Sequence, residues 1–522
     1  MARPTGAKGR TVTRRTSRWA LMHAHSRVAL VGVGERRPAS HRARATGLVR
    51  SSLPTRAPCP FPVTSIRVKM PIHRGRFCAS GGRRGSSGPA SGRLLDGQGE
   101  EHMTEFDGFD LIAPRAYGER GVPHDQWTEL RRLEGLHFCE PPGFQPFYAI
   151  VRHKHICEIS KQPDLFLNRY GIVLESTEQK IILESNKGLR EMRAIIGMDP
   201  PEHREYRKVA VPAFTPRGVK RFDPVVKESA RNLVDGLVEK ARGGEGECEF
   251  ATEIATAHPL RVLTTILGVP QELEPQILKL TNELFGADDP DLRREGEDRE
   301  KVVQELAAEF FQLFSGIIAD RRANPRDDLA SLLANGQVKG EPMGLMETLG
   351  YYLITFSAGH DTTKNALAGG ICALAQHPGE YEKLKRRPEL VPSAVEEIVR
   401  WTSPVNYMKR VVAEDLEFGG QELSKGDNLV LFYASANRDE EVFEDPFTFQ
   451  IDRKPNPHLG FGIGEHFCIG SHLARASQRA LLSELVTRID SLELVGEPEQ
   501  IESSFVVGPK KVPLRYRVSP AA

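Results

Sequence analysis

A mainly α-helical fold with small β-sheets is what this 522-residue sequence predicts, carried by residues 103–522. Three observations lead there. Apolar residues recur at helical spacing through several long segments. Strand-like runs are few and short: Phe147–Val151, Leu429–Tyr433 and Val512–Val518. One segment, Glu347 to Ala375, is apolar on most sides, which marks a helix sunk in a large core. A chain this long buries enough surface to enclose a pocket, and no internal repeat divides it.

Residues 1–102 read differently. They hold 20 Lys+Arg against 4 Asp+Glu, while the remainder holds 51 against 66. The stretch is rich in Arg, Ser, Gly and Pro, with no sustained period, so it cannot offset its ordering entropy by burial. Three readings stand: a basic arm for an anionic partner, an Arg- and Ser-rich targeting peptide, or upstream DNA read as coding. The third is preferred. Ordinary composition begins at Met103, and the codons of Gln98-Gly-Glu-Glu-His102 permit a purine-rich ribosome-binding site before it. The apolar run near Trp19–Gly34 is interrupted by His23, His25 and Arg27, which speaks against export.

Composition narrows the function classes. The net charge of +1 argues against a dedicated nucleic-acid binder. No uninterrupted apolar stretch of about twenty residues occurs, so no membrane-spanning helix is predicted. The cysteines Cys59, Cys78, Cys139, Cys157, Cys248, Cys372 and Cys468 are scattered and form no CxxC. That pattern suits a reducing, cytoplasmic setting.

The elements follow in order. In Asp199-Pro-Pro-Glu-His-Arg-Glu-Tyr-Arg207, the two prolines suit a helix start, and His203 and Arg207 then share one face. Val219, Phe222, Val225, Val226, Leu233, Leu237 and Val238 mark a helix over Val219–Lys240. Lys301–Ile318 repeats the pattern. The Glu347–Ala375 helix carries charge only at Glu347, His360, Asp361 and Lys364, around Ala358-Gly-His-Asp-Thr-Thr363. Gly in a helix interior costs about 1 kcal/mol relative to Ala. A threonine there can return its hydroxyl to the preceding turn and bend the helix. Together they open a notch where an acid beside an alcohol can relay protons. Glu397-Ile-Val-Arg400 places an acid and a base on one helix face, by itself an ordinary solvated pair.

Loop signals are dense from Asp445 to Gly470, and a loop that long usually has a task. It ends in Phe461-Gly-Ile-Gly-Glu-His-Phe-Cys-Ile-Gly470. Glycines let the backbone turn tightly and approach a flat object. Cys468 precedes a helical stretch, Ser471–Ser483, whose N-terminus favours the thiolate. A thiolate axial ligand pushes electron density onto haem iron. A lone cysteine beside a turn is more often structural; the ten-residue spacing changes the balance.

That loop resembles the haem-binding loop of the cytochrome P450 family position by position, including Phe461 seven residues before Cys468. The resemblance covers 103–522 and implies the family's triangular-prism helical domain with a minor β domain. It implies haem b with Cys468 as axial iron ligand. It assigns His203, Arg207, Arg410 and His466 to the haem propionates. It assigns Thr362 to the iron-bound dioxygen and Asp361 to proton steering. Glu397, Arg400 and Arg453 become a buried structural triad. Ile354, Ala358, Val405, Met408 and Phe505 become candidate pocket residues.

Within the soluble bacterial type, the body is most similar to the terpineol-hydroxylating branch. The supporting stretches include Ile277-Leu-Lys-Leu-Thr281, Asp327-Asp-Leu-Ala-Ser-Leu-Leu-Ala-Asn335 and Phe505-Val-Val-Gly-Pro-Lys510. Steroid- and branched-lipid-oxidising relatives share Glu397-Ile-Val-Arg-Trp401 and Asn456-Pro-His-Leu-Gly-Phe-Gly462. The expected activity is hydroxylation of a small apolar substrate, a monoterpene first, with steroids, fatty acids or aromatic hydrocarbons as alternatives. Dioxygen is the co-substrate. Electrons are expected from a separate ferredoxin fed by an NAD(P)H reductase, because no flavin or ferredoxin domain is visible. Arg207 and Arg475 are candidate contacts for that acidic partner. No nucleic acid or membrane partner is expected. A peroxygenase or haem isomerase would share Cys468 without needing Asp361 and Thr362. A non-catalytic haem sensor, a different class, predicts no substrate-induced spin change.

Overall fold

The apolar segment predicted over Glu347–Ala375 forms one unbroken helix, Leu345–Gln376, in the computed structural model, which describes residues 106–185, 193–294 and 298–519. The basic arm 1–102 and Met103 lie outside the described residues. At 1.5 Å per residue the helix is about 48 Å long. Two apolar cores meet it. Leu349, Tyr351, Tyr352 and Phe356 belong to one, and Ala366, Leu367, Ala368, Ile371 and Leu374 to the other. The polar stretch His360–Asn365 lies between them. Its placement follows from the sequence, since His360, Asp361 and Lys364 are the ionisable groups (tyrosine and cysteine apart) that interrupt the helix after Glu347 in its first turn.

Other helices pack around this axis. Glu202–Phe214 begins directly after Pro200 and Pro201. The stripe predicted from Val219 starts in two short turns, Pro216–Val219 and Lys220–Phe222, and the long helix runs Asp223–Ala241. Pro224 sits in that helix's first turn, the place where its missing N–H costs nothing. A π-helical turn, Ala251–Thr256, leads into Ala257–Ile266, and both pack on Leu345–Gln376. Arg299–Ala323 is capped by Asp298, whose carboxylate accepts from the Lys301 N–H at 3.1 Å. Among the described residues it is the one helix long and apolar enough to cross a membrane. Its stripe Leu306, Phe310, Phe314 and Ile318 is buried in the same core as Tyr352.

The strands are minor. A five-stranded sheet runs in the order His137–Cys139, Phe147–Ile150, Asn428–Phe432, Tyr407–Val412, Phe166–Leu167. Its one parallel pair is Asn428–Phe432 with Phe147–Ile150. Leu431 pairs with Met408 and Leu429 with Arg410. The period of two therefore puts Met408 and Arg410 on one face. A three-stranded sheet joins Ile489–Leu494, Pro513–Val518 and Glu245–Glu249.

Candidate haem and oxygen site

The loop before Cys468 needs its glycines for backbone reasons. Gly462 and Gly464 have φ of 68° and 77°, the left-handed region. A Cβ on Gly464 would also overlap the Ser160 carbonyl. So Gly464 serves close packing of chain on chain, not approach to a flat ligand. The Cys468 N–H donates to the Phe461 carbonyl at 2.9 Å and closes the loop. The helix Ser471–Arg488 follows. Cys468 is open to the cavity; desolvation by the surrounding protein works to raise its thiol, against the backbone N–H groups of Gly470 and Ser471 and the charges of Arg207 and Arg475. A metal cation bound there would hold the sulfur as thiolate.

Behind the loop, one helix holds two adjacent acids with different partners. On Val391–Thr402, Glu397 points inward. Its carboxylate accepts from Arg400 at 2.7 and 2.8 Å and from Arg453 at 3.3 Å. Arg400 also donates to the carbonyls of Asn437 and Pro446, and Arg453 to those of Glu444, Asp445 and Thr448. The predicted triad is thus assembled and buried, and it ties down five loop carbonyls. Glu396 takes two hydrogen bonds at 2.8 Å from Arg475, whose guanidinium lies 4.3 Å over the Phe461 ring. Burial works to raise the Glu396 carboxyl, but hydrogen bonds from His458 and Arg475 outweigh it and hold it at about 2. Arg475 therefore braces the thiolate loop, its charge paired with Glu396. Sequence reasoning missed Glu396 and His458. Their only signal is adjacency to Glu397 and to the loop.

One large cavity opens between these elements, with about 1630 Å³ of space among its lining atoms, including its mouth. Cys468 and Thr362 both line it, as do Ile354, Ala358, Val405 and Met408. Phe505 does not. Its ring packs on Tyr407 at 5.5 Å, and its carbonyl accepts from the Asn406 N–H.

His203, Arg207, Arg410 and His466 also line the cavity. They come from a helix, a strand and the loop, so only the fold unites them. Neither ring nitrogen of His203 has a hydrogen-bond partner, and neither does Nε2 of His466. The two rings lie 4.1 Å apart. The nearest carboxylate to His203 is Glu465, at 3.6 Å. Arg207 donates to the Phe467 carbonyl, and Arg410 to the Lys409 carbonyl with the Tyr433 hydroxyl beside it. Buried polar atoms without partners are costly. A group carrying carboxylates along this edge fits them.

On the long helix, the Thr362 hydroxyl donates to the Ala358 carbonyl at 2.6 Å. The helix does not break there, so the expected notch is a carbonyl engaged from the side. Asp361 does not line the cavity. Its Oδ1 lies 2.5 Å from Lys364 Nζ and 3.8 Å from His360 Nδ1, all buried. Successive residues differ by about 100° around a helix, so acid and alcohol face different ways.

Known proteins resemble this chain in sequence and fold. Residues 116–515 match the model of the family described as Cytochrome P450. Cytochrome P450-terp of a Pseudomonas species is 36% identical over 415 residues, covering 78% of this chain and 96% of the relative. Linalool 8-monooxygenase of Pseudomonas putida is 37% identical over 409 residues, covering 77% and 97%. The crystal structure of CYP108D1 from Novosphingobium aromaticivorans superposes with a TM-score of 0.72 at 36% identity, covering 79% of this chain and 98% of that one. A family whose members bind haem b and act as monooxygenases accounts for the cysteine loop, the orphaned donors beside it and the threonine on the facing helix. On that geometry and on the extent of the match, this chain is a member of the cytochrome P450 family.

Proposed function

We propose that this monooxygenase hydroxylates a small, oxygen-bearing or hydrocarbon monoterpene, using dioxygen and electrons from a separate ferredoxin. One observation carries the reading. Cys468 and Thr362 share a cavity whose remaining wall beside the long helix is largely apolar: Ile354, Ala358, Val405 and Met408. An apolar cavity with few polar groups suits a compact hydrocarbon skeleton. The names of the two Pseudomonas relatives point to terpenes as well.

Haem, when bound, supplies the iron at which dioxygen is reduced and one oxygen atom is inserted. Cys468 Sγ is the residue to hold that iron. His203, Arg207, Arg410 and His466 are placed to take the two propionates. Each carries N–H groups, and burial among like charges makes the edge receptive to anions. Thr362 holds a hydroxyl at the cavity wall. It donates to Ala358 at rest and can turn its proton toward the cavity. Asp361, behind it, is the nearest acid on the same helix. The side chains of Ile354, Ala358, Val405 and Met408 exclude water and orient the substrate.

The test is optical. The haem-loaded chain is titrated with α-terpineol, a steroid and a fatty acid. A Soret blue shift with the terpenoid alone is expected. A shift with the steroid or the fatty acid alone would replace the substrate class. No shift with any, with a normal thiolate-type carbon monoxide spectrum, would reject the terpene reading while keeping the family.

A further inference from the structure

The geometry points to Thr355 as a specificity residue, its hydroxyl holding the alcohol oxygen of a terpenoid at the end of the cavity remote from Thr362. This rests on the terpenoid reading above.

Thr355 lines the cavity. It lies seven residues before Thr362, so the two sit about 20° apart around the helix and about 10.5 Å apart along it. That separation is on the scale of a monoterpenol skeleton such as that of α-terpineol together with one hydrogen bond to its oxygen. An oxygen held at Thr355 leaves the far end of such a skeleton beside Thr362.

The hydroxyl is free for this use. Threonines inside helices here return their hydroxyls to the carbonyl four residues back: Thr264, Thr281, Thr348, Thr362 and Thr402 all do so, at 2.6 to 2.9 Å. Thr355 makes no such bond to Tyr351 and has no other partner among the described residues. Its immediate neighbours offer no alternative, and the unpartnered Ser477 and Gln478 come from the helix after Cys468, Gln478 lying beside Leu367 beyond Thr362. Ile354 and Ala358 are apolar, and the Tyr351 hydroxyl is committed to the Tyr206 carbonyl. The Asn168 amide donates to Ile196. Thr363 also lacks a bond, but it is buried beside Thr362 and not at the remote end. Thr355 thus presents one donor and one acceptor on an otherwise apolar stripe. A hydrocarbon closing over it leaves that hydroxyl unpaired; an alcohol satisfies it. Sites built to pair a substrate hydroxyl discriminate strongly against the analogue without it.

The experiment compares α-terpineol with limonene, which shares its ring skeleton and lacks the hydroxyl. Dissociation constants are measured by equilibrium dialysis and by Soret titration on the haem-loaded full chain. The original chain is expected to favour α-terpineol. Thr355→Val should weaken α-terpineol about tenfold and leave limonene within twofold. Thr355→Ser, which keeps the hydroxyl, should stay near the original preference. Equal effects of Thr355→Val on both ligands, or none on either, would overturn the role of Thr355 while leaving the terpenoid reading intact. Failure of the original chain to bind either ligand would overturn both.

Discussion

Asp361 and Lys364 form a buried ion pair one helical turn apart, Oδ1 to Nζ 2.5 Å, on the side of the long helix that does not face the cavity. Thr362, between them in sequence, does face it. The acid and the alcohol that the motif sets side by side are thus divided by the helix itself. Lys364 is the group that compensates the Asp361 charge.

Removing that compensation should be costly. Lys364→Met strands a buried carboxylate, and a loss of about 3 kcal/mol in unfolding free energy is expected from urea denaturation. The double variant Asp361→Asn with Lys364→Met should lose clearly less than the two single losses added together. Additive losses would show that the pair does not interact.

Asp361 and Thr362 should separate in kinetics. Asp361→Asn is expected to slow turnover about 100-fold through proton supply, with a larger solvent isotope effect. Thr362→Ala is expected to keep consuming dioxygen while releasing peroxide in place of product. Oxygen-electrode and peroxide assays on the same samples read both. Identical peroxide yields in the two variants would contradict distinct roles.

The neighbouring acids Glu396 and Glu397 should also behave differently. Glu397→Ala leaves Arg400 buried without its carboxylate, and a loss of about 3 kcal/mol or more is expected. Glu396 and Arg475 are about a quarter exposed, so Glu396→Ala should cost only about 1 kcal/mol. Its effect should appear instead as faster haem loss to a scavenger protein, because the brace on Phe461 is gone.

Two buried histidines set an acid limit on stability. Burial holds His258 and His360 down at about 4, against an ordinary value near 6.5. In the unfolded chain they take up protons first, so stability is full above about pH 6.5 and falls as pH drops toward 4. Each contributes on the order of 3 kcal/mol across that window. His258 keeps its ring between Ser229 and the Ser477 carbonyl. His258→Gln should flatten the dependence between pH 6.5 and 4, measured by thermal unfolding. An unchanged slope would exclude His258 as its source.

The sequence alone determined much of this. The mainly helical fold, the long buried helix and the Cys468 loop were legible because each rests on local spacing or on a motif whose members are close in the chain; the triad of Glu397, Arg400 and Arg453 followed only from the family resemblance. The boundaries of Leu345–Gln376 lie within two residues of the apolar run that announced it. Only the tertiary structure decided which way side chains point. Phe505 turns onto Tyr407, Arg475 onto Glu396, and Asp361 onto Lys364. The first two depend on a partner brought close by packing; the third is an i,i+3 pair within one helix, and there the fold decides only that the pair is buried and turned from the cavity.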